Sequence, residues 1–212
     1  PLRELRGEIA RLIVANNMHI NSDETVYTVH ALGFINSGRL SVLEQSPVYY
    51  TLLDGIFSLF GVSAITSRLP SIIGGTLSII LIFLITTHFY DRKTGLLAAF
   101  FTAVSGFLLS NLVEMDAWMY FFILLSIYLL IRATDKESVL NKELFFCMSA
   151  YLVAVLIKPL AIPAIVPLAA YYFYQKRREK IFTNLKVIGL FVLLSLVMLS
   201  PILTHNYLLY KE

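Results

Sequence analysis

Residues 69–90, LPSIIGGTLSIILIFLITTHFY, run for 22 positions without an Asp, Glu, Lys or Arg. A helix needs roughly 20 predominantly apolar residues to cross a bilayer core. Backbone amides in hydrocarbon must bond within their own segment, so such a stretch is helical. The pattern repeats downstream, where further uncharged runs cover residues 94–113, 117–131, 144–157, 159–175 and 187–210. Runs 94–113 and 187–210 reach spanning length outright. Runs 117–131 and 144–157 fall short, and Arg132 and Lys142 extend them by snorkelling from their ends. Composition agrees: the 212-residue chain is 58% hydrophobic and 15% charged, with a mean hydropathy of +0.74, whereas a soluble domain carries about 25% charged residues. The expected fold class is an all-α polytopic membrane protein. Its spans are Ile72–Tyr90, Gly95–Ser110, Ala117–Ile131, Leu144–Ile157, Leu160–Tyr174 and Val187–Leu203, with amphipathic juxtamembrane helices in the first extracytoplasmic segment.

Charge gives the orientation. Arg92 and Lys93, then Arg132, Lys136 and Lys142, then Lys176, Arg177, Arg178, Lys180 and Lys186 occupy alternate connectors. Asn111–Asp116 and Lys158–Pro159 hold one basic residue between them. The positive-inside rule places the first set in the cytoplasm, so residues 1–71, 111–116, 158–159 and 204–212 face outward. Two regions follow: 1–71, an extracytoplasmic and interfacial segment, and 72–212, a transmembrane helical domain. The net charge of +3 is spent on topology, and no basic stripe interleaved with aromatics suggests nucleic acid. The single cysteine, Cys147, lies in a span and excludes a disulfide framework. The charged N-terminus does not read as a cleavable signal.

The first seventy residues differ. Leu2, Leu5, Ile9, Leu12 and Ile13 recur at helical spacing among charges, which suits a helix on the membrane surface or on a partner. Asn21-Ser22-Asp23-Glu24 offers an N-cap to Thr25–Asn36, and Ser37-Gly38 stops that helix. Pro47 opens a short apolar helix, Val48–Phe60, which Asp54 interrupts and Gly61 ends. Too short to cross, it is expected at the interface, rimmed by Tyr49 and Tyr50.

Several charged groups gather on the outer side. Asp23-Glu24 reads either as a helix cap with a favourable dipole contact or as part of a site. Glu114 and Asp116 flank a second outward turn, equally readable as solvated loop charge. Arg68, before Pro70, reads as an interfacial anchor or an anion ligand. Lys158, alone between two apolar runs, needs anchoring or function to explain it. Asp54 reads as a wet-face residue.

Taken in order, these blocks resemble the C-type glycosyltransferase superfamily, nearest its protein-mannosyltransferase and lipid A aminoarabinose-transferase branch. Ser22-Asp23-Glu24-Thr25-Val26-Tyr27 is similar to the Asp-Glu motif of the first outward loop, and Ala31 and Ser37-Gly38 fit the small residues after it. Ser46-Pro47-Val48-Tyr49-Tyr50 resembles a Pro-Pro-Leu-Tyr-Tyr block, and Leu59-Phe60-Gly61 a Leu-Phe-Gly. Ser67-Arg68-Leu69-Pro70-Ser71 resembles an Arg-Leu-Pro-Ser element. Glu114-Met115-Asp116-Ala117-Trp118-Met119-Tyr120 occupies the second acidic turn, and Ile157-Lys158-Pro159 resembles a later lysine turn. Two departures stand out: no spanning helix precedes the Asp-Glu motif, which points to a truncated chain expected to be inactive alone, and Gln45-Ser46 replaces the usual basic residue before the prolines.

The resemblance implies a glycosyltransferase that moves a sugar from a polyprenyl- or dolichyl-phosphate donor to a protein or lipid acceptor, with inversion. Asp23 would be the general base, and Glu24 beside it in the catalytic pair would orient acceptor and sugar or hold a divalent ion where one is used. Arg68 and then Lys158 would bind the donor phosphate. Glu114, Asp116, Tyr49 and Tyr50 would orient acceptor and sugar. The lipid-phosphate sugar is a co-substrate. A divalent ion is left open because branches of the superfamily differ. The membrane would be a prokaryotic plasma membrane or the endoplasmic reticulum. Two rival readings are a non-catalytic membrane partner or degenerate relative, and a transporter component. Against the latter, no span carries a charge near its middle.

Overall fold

The computed structural model describes residues 47–105, 115–177 and 181–210, and every regular element among them is helical. The order is α1 Pro47–Phe60, α2 Ala64–Phe89, α3 Arg92–Val104, α4 Asp116–Thr134, α5 Lys142–Ile157, a 3₁₀ helix Pro159–Ala164, α6 Ile165–Gln175 and α7 Ile181–Tyr210. Two stretches are long and apolar enough to cross a membrane, Ile65–Phe89 and Asp116–Thr134. The helices expected over residues 2–13 and Thr25–Asn36 lie outside the described residues.

α1 ends where the sequence requires. Gly61 adopts φ 75, a conformation that glycine takes without Cβ strain, and its N–H closes the last turn on the Phe57 carbonyl at 2.9 Å. The expected tyrosine rim is not what forms. Tyr49, Tyr50, Leu53 and Phe57 are all 5% exposed or less, because positions i, i+1, i+4 and i+8 share one helix face. That face packs against Met115, Met119, Ala154 and Ile157 from α4 and α5.

α2 begins at Ala64, eight residues before the expected Ile72. A capping box explains this start: the Thr66 N–H donates to the Ser63 hydroxyl (3.1 Å), and the Ser63 N–H donates to the Thr66 hydroxyl (2.8 Å). Two otherwise orphaned donors are thereby satisfied. Arg68 and Pro70 therefore lie within the helix, although the sequence suggests a connector there. Ser67, Pro70, Ser71 and Ser78 are buried along α2. Between them Gly74 meets the start of α4, where an added Cβ would sit 3.2 Å from the backbone carbon and oxygen of Ala117. Small residues permit this close approach of two helices.

α4 and α5 form the central antiparallel hairpin. Asn141 staples its turn: its carboxamide oxygen accepts from the Leu144 N–H (2.9 Å), and its amide donates to the carbonyls of Ser138 (2.7 Å) and Ala133 (3.0 Å). One side chain thus caps the start of α5 and occupies one carbonyl at the end of α4 and one in the turn between them. Leu130, Leu144, Met148, Tyr151, Leu168 and Val187 then join α4, α5, α6 and α7 in a second core cluster.

The expected span Leu160–Tyr174 is divided into the 3₁₀ helix and α6. Prolines at 159, 163 and 167 are the cause. Pro167 has no N–H to give the carbonyl four residues earlier, at Pro163, so the chain opens this stretch with the tighter i to i+3 pattern.

Replacing Gly74 by Leu should wedge α2 from α4 and cost about 1–3 kcal/mol, as overpacking does. Gly75, whose Cβ would meet nothing within 4 Å, should accept Leu at little cost. Melting of detergent-purified protein compares the two, and equal midpoints would remove the close α2–α4 contact.

Candidate active site

The hairpin brings the start of α4 and the end of α5 to one end of the bundle. Asp116 is the first residue of α4, where the helix dipole favours an anion. Lys158 caps the C-terminus of α5, where the dipole favours a cation. A proline follows Lys158 and steers it out of the helical region, and the residue is extended at φ −150, ψ 118. Its N–H still reaches the Ala154 carbonyl (3.0 Å), and its own carbonyl accepts from the Ala161 N–H (3.0 Å). The turn is therefore fixed on both sides of the lysine.

Lys158 Nζ lies 2.8 Å from each carboxylate oxygen of Asp116. Charge-assisted contacts of this length are among the stronger hydrogen bonds. The side chains are 32% and 18% exposed. Exposed pairs contribute about 0–1 kcal/mol, while stripping one partner from a buried pair costs about 3–5 kcal/mol. This half-buried pair falls between those limits. Met115 and Ile157, next to the two charges in sequence, and Ala161 are buried with Tyr49 and Tyr50 in one cluster.

Arg68 lies one helical segment away. Gly74, six residues after it, touches Ala117, and six residues of helix rise about 9 Å. Arg68 thus sits beyond the Asp116 level, toward the same end, and is half-buried. The structure brings Asp116 and Lys158 together, packs Tyr49 and Tyr50 in the cluster that holds their neighbours Met115 and Ile157, and places Arg68 toward the same end of the bundle. Asp23, Glu24 and Glu114 lie outside the described residues. Among the described residues no three His, Cys, Asp or Glu side chains converge as a metal site would.

Two features had no signal in the sequence. One is the 42-residue pairing of Lys158 with Asp116, since partners that far apart in the chain leave no periodicity. The other is the Tyr151 hydroxyl, which donates to the Ile162 carbonyl at 2.9 Å and ties the 3₁₀ helix to α5.

The opposite end of the bundle collects basic connectors. The Lys176 ammonium donates to the Lys136 carbonyl at 2.6 Å, and Lys136 pairs with Glu143 at 3.2 Å. The Glu143 carboxyl is held below its usual range, first by its own backbone N–H at the start of α5 and then by Lys136. In the turn between α2 and α3, Asp91 caps α3 by accepting from the Thr94 N–H at 2.7 Å. That bond and the Thr94 hydroxyl hold its carboxyl below the usual range. Between the two ends lies an apolar cavity of about 190 Å³, lined by Leu130, Cys147, Tyr151, Leu168, Tyr172 and Phe191 among others.

Comparison with known proteins adds one match. A family model described as dolichyl-phosphate-mannose-protein mannosyltransferase covers residues 44–205. It takes in Tyr49, Tyr50, Arg68, Glu114, Asp116 and Lys158 and begins downstream of Asp23-Glu24. Neither a curated protein nor a solved structure matches the chain.

Replacing Tyr151 by Phe removes the bond to the Ile162 carbonyl without changing the packed ring. The expected loss is about 1 kcal/mol, read as a melting midpoint about 2–4 °C lower in detergent. An unchanged midpoint would mean the hydroxyl does not hold the 3₁₀ helix.

Proposed function

The chain belongs to the dolichyl-phosphate-mannose-protein mannosyltransferase family, and from that premise we propose that it transfers a sugar from a polyprenyl- or dolichyl-phosphate to a protein or lipid acceptor at the extracytoplasmic membrane face. The family match over residues 44–205 carries this reading, because it covers the helices that hold Tyr49, Tyr50, Arg68, Asp116 and Lys158.

The chain is multi-pass on this reading. The 3₁₀ helix and α6 together extend about 28 Å, given about 2.0 Å per 3₁₀ residue and 1.5 Å per α residue, close to a bilayer core of roughly 30 Å. Leu96, Leu97, Phe100 and Phe101 on α3 and Leu193, Leu196 and Val197 on α7 present apolar side chains outward, as lipid-facing surfaces do. The contact between Lys176 and Lys136 agrees with two basic connectors on one membrane side, the cytoplasmic one. Asp116 and Lys158 are then extracytoplasmic.

In the transfer, the acceptor oxygen or nitrogen bonds to the anomeric carbon from the side opposite the phosphate. The bond from that carbon to the phosphate oxygen breaks, and its electron pair stays on the phosphate, which leaves as a monoester. Asp23 takes the acceptor's proton, a role that contributes on the order of 10²–10⁴-fold. Arg68 stabilises the negative charge growing on the phosphate, for which its planar fork is suited. Glu24 and Glu114 orient acceptor and sugar, with Tyr49 and Tyr50 forming the wall of the site. The apolar cavity offers the donor's hydrocarbon a surface compatible with its chemistry.

Membranes holding the full-length protein should consume a radiolabelled lipid-phosphate sugar, and Asp23→Asn should reduce turnover on the order of 10²–10⁴-fold at equal abundance. Equal turnover would remove Asp23 from the mechanism. Cysteines placed at Ser22 and Ser138 should label from opposite sides of intact cells. Labelling from one side breaks the topology.

A further inference from the structure

The Asp116–Lys158 contact is built as a joint between two helix ends. Both oxygens of the carboxylate face one ammonium at 2.8 Å. Each residue is anchored by its own backbone: Asp116 by the first turn of α4, Lys158 by the Ala154 carbonyl on one side and the Ala161 N–H on the other. The corner that carries Lys158 is tied down again by Tyr151, through the Ile162 carbonyl. Behind both charges stand Met115, Ile157 and Ala161, each 2% exposed or less. A phosphate reaching for the ammonium would have to displace a carboxylate that already neutralises it, leaving that carboxylate half-buried and facing an anion.

We propose that Asp116 and Lys158 are positioning residues for the transfer reaction: their ion pair locks the acidic outer turn at the start of α4 to the corner between α5 and the 3₁₀ helix, and neither side chain touches donor phosphate or sugar. The proposal rests on the transferase reading above. The pair sets where the start of α4 stands relative to Arg68 on α2. Asp116 is displaced from an acceptor-orienting role and Lys158 from a phosphate-binding one, so that Arg68 carries the phosphate contact assigned to it above.

The test uses the full-length protein with Asp116→Asn, Lys158→Met, the two combined, and the conservative Lys158→Arg. Donor kcat and KM are measured in membranes with a radiolabelled lipid-phosphate sugar, and melting midpoints are measured in detergent. A joint gives a kcat lower by on the order of 10²-fold in either single variant, the effect of misplacing a site by about 1 Å, with donor KM within about threefold of wild type. The combined variant is no worse than either single one, because the second change removes nothing further. Lys158→Arg keeps most of the kcat. Melting follows the same non-additive pattern.

A donor KM raised more than about tenfold by Lys158→Met alone, with the effects of the two changes multiplying in the combined variant, would make Lys158 a phosphate ligand and overturn the proposal. So would unchanged kcat and midpoints in both single variants. Wild-type membranes that consume no donor would sink the transferase reading instead. The melting series then decides the joint without reference to turnover: non-additive losses uphold it, and additive or absent losses reject it.

Discussion

The antiparallel packing of α4 on α5 organises everything around it. The two helices run side by side from the Asn141 staple at one end to the Asp116–Lys158 pair at the other. Ser126, Cys147, Tyr151, Leu152 and Ala154 are buried along their length. Where the surroundings are apolar, helices gain nothing by hiding hydrophobic surface from one another. Close packing, small residues and a few polar staples must hold them. The hairpin has all of these, and α1, α2, the 3₁₀ helix and α6 each pack against one or both of its helices.

Backbone hydrogen bonding sets the second constraint. A chain in hydrocarbon cannot leave amides unpaired, and this sequence places prolines at 159, 163 and 167 in one uncharged run. The lost donors are accommodated by a 3₁₀ segment, and a tyrosine hydroxyl from the neighbouring helix ties that segment to α5 through the Ile162 carbonyl. The same prolines turn Lys158 away from the α5 axis. Satisfying the backbone and placing a charge at the bundle's end are therefore one event in this chain.

Among the described residues, charge gathers toward the two ends of the bundle. One end collects Lys136, Glu143 and Lys176 in contacts between connectors. The other collects Asp116 and Lys158, with Arg68 on α2 beyond them toward the same end. This separation follows from the cost of a charge inside an apolar layer, and it makes either end a natural place to meet a molecule with a charged head and an apolar tail.

Much was determined by the sequence alone. Its uncharged runs specify helices, and the helices fall close to where those runs lie. The short helix ending at Gly61 and the family resemblance carried by Tyr49-Tyr50, the Arg68 element and the Asp116 and Lys158 turns are also legible, since each depends on neighbours a few residues apart. The tertiary structure decided the rest. Tyr49 and Tyr50 are core residues because α4 and α5 cover the face they occupy, and periodicity shows a face without saying what covers it. Arg68 lies inside a helix because Ser63 and Thr66 cap a start at Ala64, eight residues before the expected one. Lys158 faces Asp116 because two helix ends meet, and no local rule relates positions 42 residues apart. Local hydrogen bonding and hydropathy act along the chain, while ion pairs and burial act through space.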